Sequence, residues 1–317
     1  MKAVTLLDTA VASTNLGDQI IMDAAEKQVR SVINNAFIHT VATHEIMFTR
    51  SYKLIRESDY AFVGGSNLLK SRMWFFPQWK VSIIDALFIN NLILCGCGWY
   101  QYQKKADIYS RFLLKSILSS EILHSVRDSY TKEKLLSIGI NNVLNTGCPT
   151  LWDLNPEHCL SIPKGKAENV LCTLTIYNPN KKLDSELIKI LKKNYRKVFF
   201  WIQTAGDYEY SKQIAPGLEY LEPSVAGLDE LLYSNEDIDY VGTRLHAGIR
   251  ALQAKRRTII IEIDNRAKEM GRDFNLHTVE RDNVEKLEKL LKSSFATEVR
   301  LDHEAINKWK LQFAHDS

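Results

Sequence analysis

The sequence predicts an α/β fold of two doubly wound, Rossmann-like domains that face each other across a cleft. Three observations carry this expectation. From Ala3 to Asn145, short apolar runs alternate with longer stretches of helical periodicity, the pattern of a parallel sheet covered on both faces. The alternation pauses at Asn155 to Ala167, where Pro156, Pro163 and Gly165 interrupt any period, and restarts at Val170. A length of 317 residues accommodates two separate cores. The expected domains are therefore 1–155 and 156–317, with the carboxyl edges of both sheets lining the cleft.

Each element has its own signal. Ala3 to Leu7 is an apolar strand that opens onto a polar loop, Asp8 to Asp18; Ile20, Ile21, Ala24 and Val29 then mark a helix. Ser31 to Thr49 is too mixed to assign. Ser51 to Ser58 reads as a short helix and Tyr60 to Val63 as a strand ending in Gly64-Gly65-Ser66-Asn67. A helix over Trp79 to Ile89 and a strand over Leu92 to Cys97 follow. The next helix spans Lys104 to Leu118 with Ile108, Phe112, Leu113 and Ile117 on one face. Glu121 to Val126 is a strand, Ser129 to Ser137 a helix stopped by Gly139, and Asn142 to Asn145 a strand. Beyond the pause come the strand Val170 to Ile176, the helix Asp184 to Lys193 and the strand Lys197 to Gln203. A helix at Leu228 to Tyr233 precedes the strand end Ile238 to Val241. Arg257 to Ile263 is a β-branched strand, followed by a short helix to Met270; Asn283 to Leu291 is amphipathic. A last helix, His303 to Phe313, is expected to pack back on the first domain.

Composition narrows the classes of function. Forty-one basic against 38 acidic residues leave +3, too little to imply a nucleic-acid partner. The five cysteines, an odd number set mostly in apolar runs, read as reduced thiols, and Cys95-Gly-Cys97 lacks the gap of a redox or zinc pair. His39, His44 and His158 have no neighbours at metal-ligand spacing, so no metal or cofactor is expected; His124, inside an apolar strand, reads as a core histidine. No signal-peptide or membrane-spanning pattern is present, and the expectation is a cytoplasmic protein, with peripheral attachment at the inner face of the membrane left open.

The chemistry gathers in four loops that leave strand ends. In Gly242-Thr243-Arg244-Leu245-His246 a strand hands over to a helix, so free N–H groups and the helix dipole favour an anion there. Arg244 supplies a planar fork for carboxylate or phosphate, and His246 a group able to move a proton near neutral pH. The blander reading makes Thr243 a helix cap with Arg244 and His246 solvated. Arg127 repeats the arrangement after another strand, with Asp128 or Ser129 to cap the next helix; a plain Arg–Asp loop pair is the alternative. Two such sites facing each other across the cleft would hold both charged ends of a small polyanion. Asn15-Leu16-Gly17-Asp18 offers a tight turn and a carboxylate near a helix start, where Asp18 would otherwise be only a cap. Gly64, Gly65, Ser66 and Asn67 expose backbone donors without matching a phosphate-loop fingerprint. The aromatic run Trp74 to Trp79 reads either as a sugar-stacking platform or as a plug between helices.

Taken together, Asn15 to Asp18, Gly64 to Leu68, Ser125 to Tyr130, Gly147 to Leu151, Gly242 to Gly248 and Ile259 to Asp264 resemble, in order, the polysaccharide pyruvyl transferase family. The resemblance implies a fold like that of GT-B glycosyltransferases. It also implies transfer of a pyruvyl group from phosphoenolpyruvate to a sugar of a surface or extracellular polysaccharide, or its precursor, as a cyclic ketal. In the family the Arg-Leu-His string and an arginine after a first-domain strand belong to the donor site; here these are Arg244, Leu245, His246 and Arg127. The chain departs from the family at Asp264-Asn265-Arg266, where a proline and a lysine are commoner, which leaves the role of Arg266 open. The expected roles are His246 as acid/base, Arg244 and Arg127 as charge stabilisers on the departing phosphate, and Asp18 as a weaker candidate to orient a hydroxyl. On this view the first domain takes the saccharide acceptor, lipid-linked or free, and the second takes phosphoenolpyruvate. Two alternatives stand beside it: a GT-B glycosyltransferase using a nucleotide sugar, and a binding protein that kept the fold without the chemistry.

Overall fold

The computed structural model describes residues 1–75 and 77–314, and in it the chain divides into two compact units. One contains residues 1–13, 21–152 and Leu301 onward; the other contains residues 14–20 and 153–300. No described helix is long and apolar enough to cross a membrane.

The first unit begins with β1 (Ala3–Asp8), α1 (Leu16–Val32), β2 (Phe37–Ala42), α2 (Thr49–Glu57), β3 (Tyr60–Gly64) and β4 (Leu92–Cys95). It continues with α3 (Ile108–Ile117), β5 (His124–Val126), α4 (Ser129–Ser137) and β6 (Val143–Asn145). The first four strands form a parallel sheet in the order β2-β1-β3-β4, and β5 pairs with β6. A parallel bridge from Cys97 to Val126, with Gly96 N–H donating to Ser125 O and Arg127 N–H to Cys97 O, joins the two ladders into one row. Strand succession reverses between β1 and β3, the point in an open sheet where a crevice forms.

The second unit holds α5 (Pro156–Leu160), β7 (Asn169–Thr173), α6 (Lys181–Asn194), β8 (Val198–Phe200), α7 (Ala205–Ile214) and β9 (Glu219–Tyr220). It continues with α8 (Val225–Leu232), β10 (Ile238–Gly242), α9 (Leu245–Gln253), β11 (Thr258–Glu262), α10 (Asn265–Phe274), β12 (Thr278–Glu280) and α11 (Val284–Lys292). Its six strands are all parallel in the order β12-β11-β10-β7-β8-β9, so its reversal lies between β7 and β10. Val170, Cys172, Val241, Ile259 and Ile261 pack against Leu187, Leu191 and Leu287 to build its core.

A final helix, α12 (His303–Leu311), belongs to the first unit. Trp309 and Phe313 meet the Phe62 ring at centroid distances of 5.9 and 5.1 Å, and Gln312 exchanges two hydrogen bonds with the backbone of Leu123.

Several elements differ from their sequence signals, each for a local reason. The expected helix over Trp79 to Ile89 is one 3₁₀ turn, Asp85–Leu87. Asp85 accepts from Ser82 N, Ser82 Oγ and Tyr52 Oη, a side-chain network that competes with the helical ladder. In α3, Ile108 and Phe112 point outward; the buried face is Ser110, Leu113, Leu114 and Ile117. The unassigned stretch contains β2, whose Phe37 is exposed and whose register against β1 runs from Ala3–Phe37 to Asp8–Ala42. Helix α7 and strands β9 and β12 carry too few periodic apolar residues to stand out. The Pro-rich pause holds the short α5, with Asn155 as its cap and Pro156 at a position that needs no N–H donor.

Candidate functional site

In the second unit four helix starts carry polar groups: α7, α9 and α10 directly beyond strands, and α1, whose first turn belongs to this unit. The handover from β10 to α9 lies at the switch point. Gly242 passes so close to Thr173 that a Cβ there would overlap Thr173 Oγ1. Tyr240 Oη bonds Thr173 Oγ1 at 2.6 Å and donates to Arg244 O at 2.7 Å, while Arg244 N–H donates to Thr173 Oγ1 at 3.3 Å. These bonds fix the turn before the helix begins. Arg244 takes the cap position itself, and no side chain caps α9. Thr243 is therefore not its cap: its hydroxyl turns back to Thr173 O.

Arg244 is not solvated either. It is 5% exposed, donating from Nε to Leu174 O at 3.2 Å and from Nη2 to both oxygens of Asp207, one at 2.5 Å, and to Thr204 Oγ1 at 3.3 Å. Asp207 also closes the capping box of α7 by accepting from Thr204 N at 3.0 Å, and takes Ile176 N at 3.2 Å. The Tyr177 ring lies 4.8 Å from the Arg244 guanidinium carbon. Among the described residues Arg244 Nη1 makes no hydrogen bond, and the residue stands at a helix start that no side chain caps. Leu245 and His246 occupy the first turn of α9, both buried.

Asn15, Gly17 and Asp18 join the same unit. Asn15 caps α1, its Oδ1 accepting from Gly17 N at 3.1 Å and from Gln203 Nε2 at 2.6 Å. A Cβ on Gly17 would stand 2.5 Å from Gln203 Nε2, so any larger residue there would push the Gln203 amide aside. Asp18 therefore sits in the first turn rather than at the cap, and it is buried. Arg266, in the first turn of α10, donates to Asp264 Oδ2 from Nε at 2.9 Å and Nη2 at 2.6 Å. Burial opposes its charge, but Asp264, with Asp18 and the Tyr177 hydroxyl behind it, outweighs that and holds the guanidinium above its ordinary pKa. The position at which the chain leaves its family pattern thus lies within the electrostatic reach of Asp18.

In the first unit Arg127 is 1% exposed. Its Nε donates to Asp128 Oδ2 at 2.9 Å and its Nη1 to Asn67 Oδ1 at 2.6 Å. Nη2 stands 2.9 Å from the same Asp128 oxygen, off the line of a hydrogen bond, leaving a buried donor open. Asp128 caps α4 through Thr131 N. Gly98 makes the room: a Cβ there would overlap the guanidinium carbon. Gly64 and Gly65 have no space for a side chain either, lying against Met22 and Ile21, and Ser66 has φ of +64°. Of the aromatic run, Trp79 is buried as a plug, Trp74 and Phe75 are exposed, and Phe76 lies outside the described residues. His124 is a core residue, accepting from Leu94 N at Nδ1 and bonding Ser119 O at Nε2; burial pushes its pKa down to about 4. The five cysteines are buried and unbridged.

Sequence reasoning missed Asp207, Gln203 and Tyr177. Thr204 followed three residues later by Asp207 is a capping-box signal that would have marked α7. Nothing local ties Gln203 or Tyr177 to the site.

Two parallel Rossmann-like sheets with helices at their carboxyl edges make this a GT-B-like α/β protein. The fold is similar to that of S. aureus MnaA, solved with UDP, at 12% identity over 93% of this chain and 92% of that one, TM-score 0.50. It is likewise similar to that of the lipopolysaccharide outer core galactosyltransferase WaaB in its apo form, at 10% identity over 99% and 95%, TM-score 0.50. Residues 15–265 match the polysaccharide pyruvyl transferase family, and the chain belongs to that family of transferases. No curated protein matches the chain.

Proposed function

We propose that this transferase moves a pyruvyl group from phosphoenolpyruvate to a saccharide and closes it as a ketal, releasing phosphate. The observation that carries the reading is Arg244: a buried guanidinium fixed by Asp207, with one arm unused, at an uncapped helix start on the switch point. The donor has a carboxylate and a phosphate. Arg244 Nη1, the α9 start and Arg266 supply positive charge suited to both.

Proton delivery to the donor's methylene carbon makes C2 an oxocarbenium-like electrophile. A sugar hydroxyl adds there and gives up its proton, the C2–O bond to phosphate breaks, and a second hydroxyl closes the ring with loss of its proton. His246 is assigned the proton movements and Asp18 the orientation of a hydroxyl. Arg244 stabilises charge on the leaving phosphate. The second unit is assigned the donor and the first the acceptor. The burial of Arg127 favours a positioning role on the Gly64–Asn67 turn, with only its open Nη2 left for a ligand.

The test is thermal stabilisation by phosphoenolpyruvate beside a panel of nucleotide sugars. A ligand at about 100 times its Kd adds about 2.7 kcal/mol to the native state. The expected result is a shift with phosphoenolpyruvate that disappears in Arg244→Ala. In His246→Ala the shift persists while phosphate release stops. A shift with nucleotide sugars alone refutes the donor assignment and points to glycosyl transfer.

A further inference from the structure

A surface of the first unit that includes none of the residues given a role in the transfer has the composition of a membrane-docking face. Helix α3 buries Leu113, Leu114 and Ile117; opposite them, at i, i+3, i+4 and i+7, it exposes Ile108, Arg111, Phe112 and Lys115. Ile108 is 88% and Phe112 57% exposed, unusual for an apolar pair on a helix that has a core face available.

The neighbouring segments repeat the pattern. Loop 71–75 is tied to the start of α3 by Ser71 Oγ and Arg72 N–H, which donate to Asp107, and by Met73 N–H to Ser110 Oγ at 2.9 Å. It exposes Trp74 and Phe75, whose ring centroids lie 5.7 Å apart with the planes tilted by 57°. Segment 82–88, tied to α3 by Ile83 N–H to Tyr109 Oη at 3.3 Å, exposes Ile84, Leu87 and Phe88.

Cations are interleaved with these apolar groups. Lys104, Lys105, Arg111 and Lys115 are exposed, and among the described residues none pairs with a carboxylate. The one carboxylate at this helix start, Asp107, is consumed as the α3 cap and by Ser71 and Arg72. Exposed apolar side chains beside unpaired cations on an amphipathic helix complement an anionic bilayer, into whose headgroup region the former insert while the latter meet phosphate. A second copy of this face would set like charges against each other.

We propose that the α3 face, with Trp74, Phe75, Ile84 and Leu87, docks the protein on an anionic lipid bilayer. The inference rests on this surface alone and stands or falls independently of the donor assignment. For a transferase of polysaccharide assembly, such docking would bring it to a membrane-borne acceptor.

The experiment is co-sedimentation of the full chain with vesicles of phosphatidylglycerol and phosphatidylcholine, against phosphatidylcholine alone. Binding is expected only with the anionic vesicles and weakens with salt. Lys104→Glu and Arg111→Glu each cost at least roughly fivefold in partitioning, from about 1 kcal/mol per cation near the surface. Ile108→Ser/Phe112→Ser costs more than tenfold, with the melting temperature and stabilisation by phosphoenolpyruvate unchanged. Equal binding to neutral vesicles, or variants that bind as tightly as the parent, overturns the proposal. Concentration-dependent dimers in sedimentation velocity that Ile108→Ser/Phe112→Ser abolishes would instead make this face a self-association surface, and would also overturn it.

Discussion

Asp207→Asn is the most informative single perturbation, because it changes one charge and almost no volume. Every group around the Asp207 carboxylate is a donor: Ile176 N and Arg244 Nη2 at Oδ1, Thr204 N and Arg244 Nη2 at Oδ2. Asparagine has one acceptor and one NH₂ in this space. Whichever way the amide turns, its NH₂ faces either Ile176 N–H or Thr204 N–H as well as the guanidinium, and Arg244 is left as a buried charge without a counterion. Breaking a buried pair this way costs about 3–5 kcal/mol. For a domain of roughly 150 residues, each kcal/mol moves the melting temperature by about 2–4 °C, so the second unit should melt roughly 6–20 °C earlier by scanning calorimetry. Donor affinity should fall too, since the arm of Arg244 offered to the anion loses its anchor. A double-mutant cycle with Arg244→Ala separates the two effects: Asp207→Asn should cost far less once Arg244 is gone. A melting temperature within about 2 °C of the parent, or strictly additive costs, would refute the claim that Asp207 exists to hold Arg244.

Three further outcomes follow. His124 is fully buried as the neutral ring, with Leu94 N–H pointing at Nδ1; protonation would set donor against donor. Its folded pKa of about 4 lies below the ordinary histidine value of 6.5, so the unfolded chain takes up the proton first, and stability is lost as pH falls from 6.5 toward 4. The slope reaches about 1.4 kcal/mol per pH unit, and His124→Gln should flatten it in urea melts at pH 7 and pH 5. Gly98→Ala should displace Arg127 and destabilise the first unit by about 1–3 kcal/mol, an overpacking cost; unchanged denaturation midpoints would contradict the close approach. Arg266→Ala should weaken stabilisation by phosphoenolpyruvate while Arg266→Lys restores part of it, because the site asks for charge more than for the fork; equal shifts in all three would remove Arg266 from the donor site.

Much of this molecule was readable along the chain. The strands β1, β3, β7, β10 and β11 are predominantly apolar, Asp239 of β10 being the charged exception away from their ends, because both of their faces are covered, and buried parallel strands write themselves that way. Arg127 and Arg244 were legible because each follows such a run and precedes a helix. Strand β2 was not: its exposed Phe37 and partly covered residues break the run. The helix expected at Trp79 failed because Ser82 and Asp85 capture their own backbone. On α3 the apolar residues are present, but only packing shows that Leu113 and Leu114 turn inward while Ile108 and Phe112 do not.

The sequence by itself determined the fold class, the family and the strings from which the site is drawn, since apolar period and turn chemistry act over a few residues. Tertiary structure alone decided what those strings contact. That Arg244 meets Asp207, 37 residues earlier in the chain, depends on sheet order. The order β12-β11-β10-β7-β8-β9 sets β7 between β10 and β8, so the loops beyond them converge on one edge. No local signal encodes that adjacency: it arises when the strands pair, and pairing is a property of the whole core.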